Sequence, residues 1–259
     1  LHCCWGIGAS IGPYIMGLCL TGGWSWNSGY RMVGALQAVL TAVLFSTLFL
    51  WKERNLEEGK HLQSGRCLTA KQLLGIPGVK AQMAAFFCYC ALEQTAGLWA
   101  SSYLVMYRGL SEETAAKWAS LFYLGITAGR FLSGFLAMKL NDRQMVRLGE
   151  AAGTVGVLMV LLPLGTRAAS AGLIIIGLGC APVYPSLMHG TPRNFGWDLS
   201  QAIVGLQMDF AYLGNTLAPP IFGFLAQSAG IVWYPVYLFA ILAAMTVSSE
   251  RLNRMTANS

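Results

Sequence analysis

Charge is scarce in this chain. Asp, Glu, Lys and Arg make up 11% of its 259 residues, while 55% are hydrophobic. A soluble globular domain carries about 25% charged residues. So little polar surface excludes a fold that faces water on all sides and implies lipid as the solvent. The net charge is +6, yet no basic tract exists, which excludes a nucleic-acid arm; the cations are spread over short loops, where they set membrane orientation. None of the seven cysteines (Cys3, Cys4, Cys19, Cys67, Cys88, Cys90 and Cys180) has CxxC or zinc-finger spacing. Six lie in or beside apolar runs and read as small packing residues. His2, His61 and His189 show no metal-ligand spacing. The chain has no GxGxxG before a helix, no Walker lysine loop and no GxSxG. Neither enzymatic catalysis nor a cofactor or metal is therefore expected, and the chain carries no ATP-driven engine of its own. No basic leader precedes its first apolar residues. It begins with Leu1, so the natural N-terminus is expected upstream.

What is abundant is apolar length. A spanning helix needs about 20 mostly apolar residues. Eight stretches qualify, at 1–20, 31–51, 79–103, 115–138, 145–164, 168–188, 202–224 and 231–249. The expected fold is an all-α integral membrane protein with eight transmembrane helices. The 30 glycines suit close helix packing in lipid. The stretch 52–78 is polar and mixed in charge, and it separates two bundles, 1–51 and 79–259. If that stretch is cytoplasmic, 13 of the 17 Lys and Arg fall on its side, leaving Arg31, Arg108, Lys117 and Arg167 opposite. The excess of Lys and Arg on cytoplasmic loops then places the C-terminus in the cytoplasm. Trp24, Trp26, Trp51, Trp118, Trp197 and Trp233 fall near span ends, where amphipathic aromatics anchor at the headgroups.

Residues 8–17 read GASIGPYIMG and residues 214–223 read GNTLAPPIFG. Gly8 aligns with Gly214, Pro13 with Pro219, Ile15 with Ile221 and Gly17 with Gly223. The copies fall in the first and seventh spans, so the repeat period is six helices. Transporters of the major facilitator type consist of two six-helix halves related in this parallel way. In them the long loop follows the sixth span; here it follows the second. Both offsets expect the eight spans to be the last eight of twelve.

The sequence resembles the major facilitator superfamily over essentially its whole length. Gly8-x3-Gly12-Pro13 is similar to the fifth-helix motif of that superfamily. GRFLSGFLAMKLNDR (129–143) resembles its loop motif, with Gly134, Asp142 and Arg143 in the matching roles and the acid later than usual. GLGCAPVYPSLMHGTP (177–192) and the stretch 207–223, with Pro219-Pro220, look most like the fucose and glucose/mannose proton-symporter branch. The resemblance implies a major facilitator-type bundle in the cell membrane, monomeric when complete, whose partners are a small solute, protons and the bilayer.

Ionisable groups inside spans are costly and are functional candidates by default. Glu93 lies about 14 residues, or roughly 20 Å, into its helix, where it binds a sugar hydroxyl, carries a proton or ties two helices together. Gln94 follows it, Tyr89 sits one turn before and Trp99 nearly two turns after, a polar pair among aromatics that suits a sugar. Asp209 lies roughly 10 Å into its helix; it either lines a cavity or pairs with Arg130 or Arg193 as an inner gate. Gln207 and Asn215 either line the cavity or act as packing glue. Arg130, near a span end, is placed to snorkel. Arg130, Asp142 and Arg143 form a candidate latch, or else charges that set topology. Gly8, Gly12, Pro13, Pro219 and Pro220 read as bending points for rocking helices.

The leading expectation is a proton-coupled symporter of a small polar solute, a sugar first, working by alternating access. The alternatives are an efflux antiporter for drugs or metabolites, favoured by Gly8-x3-Gly12-Pro13, a non-transporting membrane receptor, and an inactive truncated fragment. The 259 residues alone are expected not to transport, since two spans of one half cannot enclose a cavity against six of the other.

Overall fold

The computed structural model describes residues 8, 11, 15, 19, 22–51 and 68–256. They divide between residues 66 and 67 into two compact units, each with its own helices. Among the described residues all regular structure is helical.

The first unit contains α1 (Trp26–Ser46) and a 3-10 turn, Leu48–Trp51. Residues 8, 11, 15 and 19 are also helical. Gly12, Pro13, Gly17 and most of the expected first span lie outside the described residues. Gly8 is exposed, with nothing within 4 Å of the place a Cβ would occupy. The 21 residues of α1 reach about 30 Å at 1.5 Å each, the thickness of a hydrocarbon core. Thr41 and Ser46 return their hydroxyl protons to carbonyls one turn back, which satisfies polar side chains where water is absent.

The second unit begins with a single helical turn, α2 (Ala70–Leu74), started by a Thr69–Gln72 capping box. Six long helices follow: α3 (Val79–Met106), α4 (Glu112–Leu136), α5 (Asp142–Leu161), α6 (Thr166–His189), α8 (Trp197–Ala229) and α9 (Tyr234–Met255), with the short α7 (Thr191–Phe195) before α8. Ser111 caps α4, and Asn141 forms a capping box with Gln144 at the start of α5. Gly196, at φ +84°, breaks α7 from α8 in a backbone region closed to most L side chains. The helices α1, α4, α5, α6 and α9 are long and apolar enough to cross a membrane. With 28 and 33 residues, α3 and α8 are longer still, but polar side chains dilute them.

The largest helix interface joins α5 to α6, and glycine makes it possible. A Cβ on Gly156 would lie 2.6 Å from the Gly172 carbonyl, and one on Gly172 would lie 2.7 Å from the Gly156 carbonyl. Gly149 and Gly179 form a second reciprocal pair one layer away, at 2.5 and 2.6 Å. Backbones this close gain the dispersion contacts that hold helices together in lipid, where burial of apolar surface drives nothing.

A polar clamp closes one end of the bundle. Arg108, in the α3–α4 connection, donates from Nη2 to the Val160 carbonyl at 2.7 Å and from Nε to the Tyr103 hydroxyl at 3.2 Å. Val160 is in the last turn of α5, whose carbonyls lack intrahelical donors. The guanidinium also lies over the Tyr103 and Tyr107 rings, 5.6 and 5.4 Å from their centroids. Arg108→Ala is expected to cost about 1.5–3 kcal/mol, the range for hydrogen bonds to a charged group, read as a lower midpoint of thermal unfolding in detergent. Arg108→Lys is expected to recover little, because a single ammonium cannot serve both acceptors in that geometry.

Candidate functional site

The face of α3 carrying Tyr89, Glu93 and Gly97 meets the face of α4 carrying Tyr123 and Arg130. These positions recur at three- and four-residue spacing, which places them on one stripe of each helix. Gly97 lies against the Tyr123 ring; a Cβ there would come within 2.5 Å of the hydroxyl oxygen. That clearance lets the two helices close around Glu93. Its Oε1 is 3.8 Å from Arg130 Nη2, and the two side chains are only 14% and 8% exposed. The Tyr89 hydroxyl donates to the other carboxylate oxygen, Oε2. A buried charge needs a partner and hydrogen bonds to persist, and this carboxylate has both.

Aromatics surround the pair. The Tyr89 ring is 5.9 Å from Tyr184 and packs on Phe86, which is itself 5.1 Å from Tyr184. Tyr184, on α6, donates to Met208 Sδ on α8 at 3.5 Å. Three helices, α3, α4 and α6, carry the residues around the ionic pair, and α8 joins them through the Tyr184–Met208 contact. Gln94 is exposed beside it, and Asn215 is half-buried on the same face of α8 as Met208 and Tyr212.

Arg130 does not snorkel. It sits six residues before the end of α4, about 9 Å from that end, and turns inward because Glu93 offers a counter-charge. The group of Arg130, Asp142 and Arg143 is accordingly divided. Asp142 has both carboxylate oxygens 3.1 Å from His189 Nδ1, with Oδ2 3.6 Å from Arg193 Nη2. Arg143 donates from Nη2 to the Thr256 carbonyl at 2.8 Å. These contacts tie the start of α5 to α6, α7 and the end of α9. Asp209 is exposed; of its two expected partners, Arg130 holds Glu93 and Arg193 holds Asp142.

Gln207 is fully buried. It shares the buried face of α8 with Ala211 and Gly214, whereas Asp209 and Tyr212 are exposed. Its Oε1 accepts from Thr191, whose hydroxyl also accepts from Gln82 Nε2 at 2.8 Å. The result is a buried polar tie between α3, α7 and α8. Trp99 is half-buried and engaged: its Nε1–H donates to the Pro219 carbonyl at 3.1 Å, and its ring packs edge-on against Phe222. Gly223 makes room for that indole, since a Cβ there would lie 3.2 Å from the ring. Pro219 and Pro220 stand inside one continuous α8.

Glu150 is the acid that the sequence reading missed. It is 4% exposed and accepts a 2.6 Å hydrogen bond from Ser249 on α9. The neighbouring Arg147 is held by Glu250, with bonds of 2.6 and 2.8 Å to the two oxygens. The available signal was its place among Gly149, Gly153 and Val157, the small-residue face of an apolar span.

The model of the Major Facilitator Superfamily matches residues 1–208 of the chain. The chain belongs to the Major Facilitator Superfamily. The superfamily and the long apolar helices make the chain part of a multi-pass membrane protein. This facilitator is 25% identical over 170 residues to a Sinorhizobium fredii protein named uncharacterized transporter y4wD, across 58% of the chain and 45% of that protein. It is 22% identical over 186 residues to the Saccharomyces cerevisiae bypass of stop codon protein 6, across 68% of the chain and 37% of that protein. The chain therefore spans less than half the length of these curated relatives. Among solved structures, it matches the E. coli fucose:proton symporter FucP with a TM-score of 0.59 at 17% identity, covering 73% of the chain and 46% of FucP. FucP in the outward conformation gives 0.63 at 16%, covering 73% and 45%. A peptide transporter, POT, in complex with alafosfalin gives 0.62 at 16%, covering 76% and 42%. At these identities the likeness concerns the fold.

Proposed function

We propose that the facilitator is a secondary active transporter of a small polar solute, a sugar first, driven by protons and working by alternating access. Its eight spans are the last eight of twelve, in the cytoplasmic membrane, with the C-terminus in the cytoplasm. The observation that carries this reading is the Tyr89–Glu93–Arg130 cluster. An ionic pair among apolar helices is costly to keep, and α3, α4 and α6 bring the tyrosines Tyr89, Tyr123 and Tyr184 around it. That composition suits a sugar, whose apolar ring faces stack on tyrosine while its hydroxyls bond to the carboxylate, to Gln94 and to Asn215. Glu93 and Arg130 face one another in one state of the cycle, and solute hydroxyls replace part of that contact in the other. Asp142, with His189 and Arg193, and Arg143, with the end of α9, hold the cytoplasmic ends together. Pro219 and Pro220 supply a bending point in α8, where Tyr237 and Trp99 hold the Ala218 and Pro219 carbonyls. The superfamily, the FucP fold likeness and the motifs at 177–192 and 207–223 support the sugar reading.

The test is uptake of labelled fucose and hexoses by cells expressing the carrier from its full reading frame, with and without a protonophore. Saturable uptake that collapses by about tenfold or more with the protonophore is expected, since about 1.4 kcal/mol of proton gradient sustains each tenfold of accumulation. Absence of saturable sugar uptake contradicts the sugar reading, and export in its place favours an antiporter.

A further inference from the structure

A cavity of about 330 Å³ lies where α2 leads into α3 and the end of α9 packs beside it. Gly75, Ala81, Ala84 and Ser248 line it with small groups, and Lys80 and Arg251 supply two cations; no carboxylate is in the lining. Lys80 and Arg251 are both exposed. Among the described residues neither forms an ion pair, whereas Arg130, Arg147 and Arg193, also in the half of the bundle nearest this end, all do. The first turn of α3, which no side chain caps, borders the same space.

We infer that this cavity binds the phosphate of an anionic phospholipid headgroup, held by Lys80 and Arg251. Two cations on different helices, above a lining of small and apolar groups, match a phosphate diester in charge. The cavity sits at the start of α3 and the end of α9, the latter long and apolar enough to cross a membrane; with α9 in the bilayer, this end lies toward the headgroups and a lipid reaches it with its acyl chains against the apolar helix faces. That end is the one the Lys and Arg distribution places in the cytoplasm, where anionic lipid is concentrated. A bound headgroup would fasten α2 and α3 to α9. The inference rests on the membrane setting and not on the transport reading, so either can fail without the other.

The experiment is native mass spectrometry of the detergent-solubilised protein, expressed from its full reading frame, with equimolar phosphatidylglycerol and phosphatidylcholine. Preferential retention of phosphatidylglycerol is expected. Each cation near a charged bilayer surface is worth roughly a fivefold change in affinity, so Lys80→Gln or Arg251→Gln should weaken retention about fivefold and the double variant about 25-fold. Lys139→Gln, which removes a cation outside the cavity, should leave it unchanged. Ala84→Trp keeps both cations but fills the space and should also lose the lipid. Inorganic phosphate should not displace it, because free phosphate lacks the chains that hold the lipid in place. The proposal is overturned if the wild type shows no preference, if the double variant or Ala84→Trp retains it, or if phosphate displaces the lipid.

Discussion

Arg130→Met, in the full-length protein, is expected to abolish the proposed transport and to destabilise the fold. Glu93 and Arg130 are 14% and 8% exposed and face one another at 3.8 Å. Removing one partner leaves the other charge buried and uncompensated, a loss of about 3–5 kcal/mol in the cases where it has been measured. The Tyr89 hydroxyl still donates to Glu93 but supplies no charge. The decisive comparison is the neutral pair, Glu93→Gln with Arg130→Met. It removes both charges together, so most of the lost stability should return; neutral replacement of a buried pair is often harmless to folding. Transport should not return, because the solute contacts are gone. Thermal unfolding in detergent and labelled-solute uptake separate the two effects. Recovery of both stability and transport in the double variant would make the pair a structural tie and nothing more.

The second large effect is at the α5–α6 crossing. Gly179→Ala should cost about 2 kcal/mol or more, toward the upper part of the range for overpacking. Its Cβ would lie 2.5 Å from the Gly153 amide nitrogen and 2.6 Å from the Gly149 carbonyl oxygen, and backbone cannot rotate away as a side chain can. Gly179→Val should fail to accumulate as folded protein, because the crossing would have to open along its whole length. Gly205→Ala is the control: that glycine is in α8 with nothing within 4 Å of the added carbon, and alanine there should be neutral or slightly stabilising. Size-exclusion profiles of detergent extracts, measured against temperature, give both results. Equal behaviour of Gly179→Ala and Gly205→Ala would mean that the two backbones do not pack this closely.

The helices of the second unit were legible because lipid imposes one simple requirement, an apolar run of sufficient length. The expected span at 79–103 starts where α3 starts, at Val79. The misses lie at polar ends. An expected start at 202 became Trp197 because Asp198, which reads as loop, occupies the first turn of α8, where an acid is favourable. An expected end at 249 became Met255 because Glu250, Arg251, Asn253 and Arg254 leave the apolar run but continue the helix. Within the site, the interest of Glu93 and its closeness to Tyr89 followed from spacing along one helix. The partner did not. Arg130 is 37 positions away along the chain, and only the packing of α3 on α4 brings it inward. For Gln207 the sequence left cavity lining and packing glue both open, because its polarity says nothing about which face of α8 it occupies; the structure has it as a buried tie between helices. Glu150 went unnoticed because one acid barely lowers the hydropathy of a span, and its partner Ser249 is 99 residues away.

Glu93 is the proposed solute contact on this half of the bundle. The most direct measurement is equilibrium binding of labelled sugar to the purified carrier, expressed from its full reading frame, for the wild type and for Glu93→Gln. Saturable binding by the wild type, weakened about tenfold or more in Glu93→Gln as expected for loss of a charge-assisted hydrogen bond, with an unchanged size-exclusion profile, is the predicted result. Equal binding by the two proteins would contradict it.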